Sequence, residues 1–322
     1  MARYLVTGGA GFIGSHLAER LLKDGHSVTV IDNCATGRLA NVAHLRGHSK
    51  FNLCVESVLN EMVLDRLVCD CDVIFHLAAS VGVKLIVEKP IDVIETNVLG
   101  TTMVLNLARR YLKSVYIAST SEIYGKSEQV PFNEDSDRLL GSTTKSRWCY
   151  SSSKAIDEFL ALAYFKEHNL KIVIGRFFNT IGPRQTGQYG MVAPRFVQAA
   201  LAGRPVEVYG DGNQSRCFLD VDDAVEAIVR LMDHPKSGGQ VFNVGSSREI
   251  SINDLAKKII ELAGSKSALV RIPYEQAYEP GFEDMRRRVP DVSKLKKWVN
   301  FEPRYTLEDT LGKIIAYYHI HP

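Results

Sequence analysis

The chain predicts an α/β fold, a doubly wound parallel sheet with helices on both faces, followed by a smaller α/β part. Three observations predict it. Short apolar runs rich in Val and Ile alternate with segments of helical period through residue 177. Three glycines at three-residue intervals separate the first such run from the first helical segment. After about residue 178 the texture changes to loops and shorter elements.

Taken in order, "RYLVTGG" reads as a short buried strand and "FIGSHLAERLLKDG" as an amphipathic helix closed by Gly25. "HSVTVID" is the second strand, and "FNLCV", "DVIFHLAA", "SVYIAST" and "KIVIGRFF" continue the set. The stretches between them have helical period, notably 91–111 and 147–168. Strands and helices alternating at this spacing pair in parallel. Beyond them, "NTIGPRQTGQYG" is loop-like, "MVAPRFVQAALAG" is a helix, and "RPVEVYGDGNQSRCF" is a strand and turn. "DVDDAVEAIVRLMDH" and "GQVFNVG" read as one more helix and strand, returning to the main sheet. "SINDLAKKIIELAG" and the tail complete the smaller part. The expected division is 1–177 plus about 217–245 for the large part, and about 178–216 plus 246–322 for the small one. Strand ends of the large part then face the small one across a cleft, where open α/β sheets bind ligands.

Bulk properties narrow the function classes. With 322 residues, 45% of them hydrophobic, the chain can bury a large core. A net charge of +2, with Lys and Arg spread along the chain, points away from nucleic acid and anionic membranes as partners. No apolar run reaches the length of a bilayer span. The start "MARYLVTGG" enters a strand without a cleavage site, and six cysteines fit no zinc pattern. The expectation is a reduced, cytoplasmic protein without a metal site.

"TGGAGFIG" places Gly8, Gly11 and Gly14 directly between strand one and helix one. Glycines there allow a tight turn, close backbone approach to a pyrophosphate, and close helix–sheet packing. Asp32 follows at the end of strand two, where a carboxylate accepts hydrogen bonds from adenosine ribose hydroxyls and repels a 2′-phosphate. This Rossmann combination favours NAD over NADP; Arg38, six residues on, reads either as a softening of that preference or as a solvated helix start.

"YSSSK" places Tyr150 and Lys154 four apart at the start of a helix, so both project from one face. An ammonium beside the phenol favours phenolate, so Lys154 is expected to lower the pKa of Tyr150. Tyr150 then takes a hydroxyl proton while hydride leaves for nicotinamide. "IAST" ends a β-branched run on hydroxyls, which reads as the floor of an active site.

These residues resemble the extended short-chain dehydrogenase/reductases, the nucleotide-sugar epimerases, dehydratases and decarboxylases. "TGGAGFIG", "DVIFHLAA", "NVLGT", "YSSSK", "RFFNTIGPR" and "VYGDGNQSRCF" carry the resemblance over nearly the whole chain. It implies that Phe12, Ile13, Asn33, Gly37, Leu77, Ala78, Ala79 and Asn97 join Gly8, Gly11, Gly14, Asp32, Tyr150 and Lys154 around NAD. It also implies that Lys154 bonds the nicotinamide ribose, that Thr120 hydrogen-bonds the reacting oxygen, and that Asn179 and Arg216 bind the sugar-nucleotide diphosphate. Arg184 reads as structural. A homodimer through 91–111 and 147–168 is implied as well.

Within the family, carbon 4 of the sugar is oxidised to a ketone and the branches diverge afterwards. Glu122 argues for chemistry at carbon 5, because epimerases usually carry a small or hydroxyl residue there. A 4-keto uronic acid is a β-keto acid and loses carbon dioxide into an enolate, which needs oxyanion stabilisation and then a proton. "DNCATGRLANVAHLRGHSKFNL", "KSRWCYSSSK" and "GFEDMRRRVPDVSKL" resemble UDP-glucuronate decarboxylases, and Thr120, Ser121 and Glu122 match their Thr-Ser-Glu. Position assigns Arg288 to the reacting sugar. Two departures stand: Ser57 replaces an Asp that contacts adenine, and "SVGVKLIVEKP" is closer to epimerases. Lys84 in that loop reads equally as a holder of a uronate carboxylate or as a surface lysine. The expected function is UDP-glucuronate decarboxylation with NAD. A UDP-glucose or UDP-glucuronate 4-epimerase, a 4,6-dehydratase and a non-catalytic dinucleotide-binding protein are the alternatives.

Overall fold

A computed structural model describes residues 1–188, 191–277 and 285–321. Its main sheet is built first from β1 (Arg3–Thr7), β2 (Ser27–Ile31) and β3 (Phe51–Cys54). To these it adds β4 (Val73–His76), β5 (Ser114–Thr120) and β6 (Ile172–Phe177). Three strands of the second part follow: β7 (Asn179–Ile181), β8 (Val206–Tyr209) and β9 (Ser215–Asp220). β10 (Gln240–Val244) then returns to the main sheet, as its apolar pattern predicts. The order is β3-β2-β1-β4-β5-β6-β10, with every pairing parallel. Strand order reverses between β1 and β4, and that reversal opens a crevice at the carboxyl ends of the strands.

Two apolar layers hold the sheet, because successive side chains of a strand point to opposite faces. Val6 and Phe75 pack with Leu17 and Leu21 of α1 (Phe12–Lys23) on one face. Leu5 and Ile74 pack on the other with Leu64 of α2 (Glu61–Asp70) and Leu107, which sits beyond the short α3 (Val83–Glu88) in α4 (Pro90–Arg110). Ala161 of α5 (Arg147–His168) joins that second layer. A third core lies in the C-terminal part. There Phe196 of α6 (Val192–Leu201) meets Val208, and, beyond α7 (Val221–Asp233), Leu255 and Ile259 of α8 (Ile252–Leu262).

The stretch "RPVEVYGDGNQSRCF" holds two strands, where the sequence predicts one strand and a turn. Gly210 and Gly212, both at positive φ, turn the chain between β8 and β9. β9 then becomes the hub of a small sheet. It pairs β7 in parallel, β11 (Glu249–Ser251) antiparallel and, past β12 (Leu269–Ile272), the two-residue β13 (Arg287–Arg288) in parallel. The register sets Arg288 beside Arg216.

A buried ion pair locks α5 to the sheet. The Arg176 guanidinium donates Nε to Glu158 Oε1 at 2.9 Å and Nη2 to Oε2 at 2.8 Å, and its Nη1 reaches the Tyr124 hydroxyl at 2.9 Å. Removing one partner leaves the other as an uncompensated buried charge. Glu158→Ala is therefore expected to cost about 3–5 kcal/mol, read as a lower urea midpoint; an unchanged midpoint refutes this role.

Candidate active site

A cleft of about 820 Å3 runs along the carboxyl ends of the main strands and across to the second part, within the size range of ligand sites. Gly8, Gly11, Phe12, Ile13, Gly14, Asp32, Asn33, Leu77, Ala78 and Ala79 line one end. Thr120, Ser121, Glu122, Tyr150, Asn179, Arg216 and Arg288 line the other.

At the first end the chain stacks backbone on backbone. A Cβ on Gly14 would sit 2.3 Å from the Gly8 carbonyl oxygen, and one on Gly8 (φ +70°) would sit 2.7 Å from the Ala78 nitrogen. Helix α1 starts at Gly11 without a side-chain cap or an acidic residue in its first turn. Its leading N–H groups therefore suit an anion such as a pyrophosphate. Asp32 is aimed by two backbone donors, accepting from Ala10 N at 2.9 Å and Cys34 N at 2.7 Å. Gly37 supports it from outside the lining: a Cβ there would lie 2.9 Å from Asp32 Oδ2. These residues fit a dinucleotide. Arg38 and Ser57 also line the cleft. The Arg38 guanidinium lies 3.5 Å from the Thr186 hydroxyl, and the Ser57 hydroxyl accepts from Leu59 N at 3.1 Å.

At the other end β5 stops because Thr120 caps the next turn, its hydroxyl accepting from Glu122 N at 3.2 Å. The Tyr150 phenol, in the first turn of α5, hydrogen-bonds the same hydroxyl. Burial pushes the phenol's pKa up, the Glu122 charge pushes it further, and the Thr120 bond opposes both. Glu122 Oε1 accepts from Arg288 Nη2 at 2.6 Å, while Oε2 lies 3.5 Å from Arg147 Nη2. Burial by itself would raise this carboxyl, but Arg288, then Arg147, and more weakly Arg216 hold it at about 2. Arg288 also reaches the Ser121 hydroxyl at 3.5 Å, and its buried Nε has no hydrogen-bond partner among the described residues. Arg216 is braced by the Met285 carbonyl at 2.8 Å, and Asn179 by the Cys217 carbonyl at 3.2 Å.

Three expectations need correction or fall outside the described residues. Lys154 does not lower the Tyr150 pKa here: its ammonium points to the buried Asp157, 2.7 Å away beneath the cleft floor, and the phenol turns to Thr120. Asn97 is fully buried away from the lining; it accepts from Ser80 N at 2.9 Å and donates to the Ser153 hydroxyl at 3.1 Å, bracing the loop after β4 against α5. The side chain of Lys84 lies outside the described residues, as do the first four residues of "GFEDMRRRVPDVSKL". Sequence reasoning missed Arg147. Its signal was present, since it precedes Tyr150 by three residues and so shares a helical face with it.

Because Glu122 is held at about 2 against an ordinary 4.5, its pairing stabilises the folded state fully above about pH 4.5 and is lost as pH falls through about 2. In Glu122→Gln the stability gap from the parent chain is expected to close across that window. Urea midpoints at stepped pH check it, and a gap that stays constant contradicts the pairing.

Comparison with known proteins agrees with this geometry. The family described as GDP-mannose 4,6 dehydratase matches residues 5–314. A UDP-N-acetyl-alpha-D-glucosaminuronate decarboxylase from Bacillus cytotoxicus is 46% identical, over 98% of this chain and 97% of its own. UDP-glucuronic acid decarboxylase 1 from Danio rerio is 38% identical, over 98% of this chain and 72% of its own. Among solved structures, UDP-glucuronic acid 4-epimerase from Bacillus cereus, in complex with UDP-glucuronic acid and NAD, superposes with a TM-score of 0.89. It is 29% identical and covers 99% of this chain and 100% of its own. A glycine loop, a Tyr–Lys helix and a full-length match all lead to one assignment: the chain belongs to the GDP-mannose 4,6 dehydratase family, within the extended short-chain dehydrogenase/reductases.

Proposed function

We propose that the chain decarboxylates a UDP-linked hexuronate through a 4-keto sugar. The observation that carries this reading is Glu122 held between Arg288 and Arg147 one step from Tyr150. With Arg216 close by, three guanidinium groups face one carboxylate at this end of the cleft. Such a surplus of positive charge suits a diphosphate and a uronate carboxylate together.

Bound NAD would supply the hydride acceptor for carbon 4 and the donor that restores it. The chain's own groups do the rest. Gly8, Gly11, Phe12, Ile13 and Gly14 offer backbone to the pyrophosphate, and Asp32 accepts from the adenosine ribose. Thr120 positions the 4-hydroxyl, and Tyr150, in its phenolate form, takes its proton. Once carbon 4 is a ketone, the bond from carbon 5 to the carboxylate breaks, carbon dioxide leaves, and the electron pair becomes an enolate. Arg288, with its open Nε donor, stabilises that oxyanion. Carbon 5 then gains a proton from solvent water in the pocket of Glu122, Ser121 and Arg288, and Tyr150 gives its proton back to the 4-oxygen as the ketone is reduced. Arg216 and Asn179 hold the diphosphate.

A second reading, 4-epimerisation of UDP-glucuronate, draws on the close superposition with the Bacillus cereus epimerase. Two relatives that match by sequence divide on the 2-substituent, one being named for an N-acetylated uronate and the other for glucuronate. Incubation with NAD and each UDP-uronate, followed by NMR of the product, separates these readings. Loss of the carboxyl carbon is expected, and a product that keeps it overturns the proposal. Tyr150→Phe is expected to lower kcat by about 10²-fold or more while the protein still binds UDP.

Surface features support a reading of partner and location. Leu99 of α4 and Ile156 and Phe159 of α5 are exposed, Phe159 by 66%, on two helices that pack together. That apolar face suits a second copy of the chain. Phe159→Glu is expected to yield a monomer by light scattering; a monomeric parent chain contradicts the pairing. All six cysteines are free thiols, which suits the reducing cytoplasm. Among the described residues, no helix is long and apolar enough to cross a membrane.

A further inference from the structure

Asn243, on β10 of the main sheet, is fully buried, yet its side-chain amide is satisfied on every side. Its Oδ1 accepts from the Tyr124 hydroxyl at 2.7 Å. Its Nδ2 donates to the Phe132 carbonyl at 2.9 Å and to the Asp291 carbonyl at 3.1 Å. Turned the other way, the amide would set its oxygen against two carbonyl oxygens, so donor counting leaves one orientation.

Two of these partners lead to the cleft. Tyr124 closes the turn Ser121–Tyr124, two residues after Glu122. Asp291 lies three residues after Arg288. Phe132 joins the two segments: its N–H donates to the Val289 carbonyl at 2.8 Å, and its carbonyl accepts from Asp291 N at 2.7 Å. The Phe132 ring also stacks on that of Tyr124, with centroids 4.7 Å apart. From behind, Arg176 Nη1 donates to the Tyr124 hydroxyl at 2.9 Å, which leaves the hydroxyl hydrogen for Asn243. The Asn243 backbone N–H is held in turn by Glu134 Oε1 at 2.8 Å.

We infer that Asn243 is a positioning residue for the Glu122–Arg288 pair, fastening the turn that bears the carboxylate and the strand that bears the guanidinium to one point of the main sheet. The two partners are 166 residues apart in sequence, so nothing local sets their distance. Their side chains are long, and holding them in one geometry costs rotamer entropy. Backbones fixed beforehand by a buried amide reduce that loss, which is preorganisation. Only the rate measurement below rests on the proposed function.

Two measurements test the inference. The first needs no turnover. In the parent chain, Glu122→Gln and Arg288→Met are expected to lower the urea midpoint non-additively, as contacting partners do. Asn243→Leu keeps the branched shape and removes all three side-chain hydrogen bonds. In that background the non-additivity is expected to shrink by about half or more. Non-additivity of undiminished size overturns the inference, whether or not the protein turns over any sugar. The second measurement is kinetic. For Asn243→Leu, kcat with the UDP-uronate is expected to fall about tenfold or more with KM within about threefold, because Arg288 acts on the enolate. A raised KM with unchanged kcat, or no change in either, overturns the positioning role. A parent chain without turnover refutes the proposed function and leaves the urea cycle to decide the inference. Should Asn243→Leu fail to fold, Tyr124→Phe keeps the stacked ring and removes one hydroxyl. The same two changes are then expected in the same direction, and their absence counts against Asn243 as the fastening point.

Discussion

A carboxylate fixed by two guanidinium groups organises this protein's cleft. Glu122 stands on the turn after β5, Arg147 in the first turn of α5, and Arg288 on a two-residue strand of the C-terminal part. Their meeting spans the cleft from one part of the fold to the other. A buried carboxylate by itself is costly, and a buried arginine more so; together they tolerate a dry environment because each charge has its counter-charge within reach. The second part must therefore dock with Arg288 over Glu122, and that docking also sets Arg216 and Asn179 at the rim.

Tyr150 and Lys154 occupy two different electrostatic settings despite sharing a helix. Tyr150 faces the cleft and is kept neutral by burial and by Glu122, with Thr120 as its hydrogen-bond partner. Lys154 faces the sheet and is neutralised by Asp157. The phenol and the ammonium therefore answer to different carboxylates, Glu122 and Asp157. The Glu158–Arg176 pair on the next residue of the same helix anchors that arrangement to β6.

Much of the fold was legible in the sequence. Strand alternation, the glycine loop, Asp32 and the helix over 147–168 all lie in local patterns of period two or 3.6, and the structure builds each of them. The strand "GQVFNVG" was readable as a returning element because its apolar run matches the others. Less legible was the small sheet around β9, whose short strands carry too few residues for a pattern and form only because distant segments supply their partners.

The site divides in the same way. Residue types and spacing by themselves determined where the glycine loop lies, that Thr120, Ser121 and Glu122 end a buried strand, and that Tyr150 opens a helix toward them. Spacing also put Lys154 on the tyrosine's face, but a lysine side chain has four rotatable bonds and takes whichever counter-charge burial brings nearest. Only the tertiary structure made that Asp157, turned Asn97 inward to Ser80 and Ser153, and brought Arg147 and Arg288 to one carboxylate. Local pattern fixes the direction of a side chain's stem; the partner of its charge is chosen by packing between segments far apart in sequence, where desolvation makes every unpaired group costly.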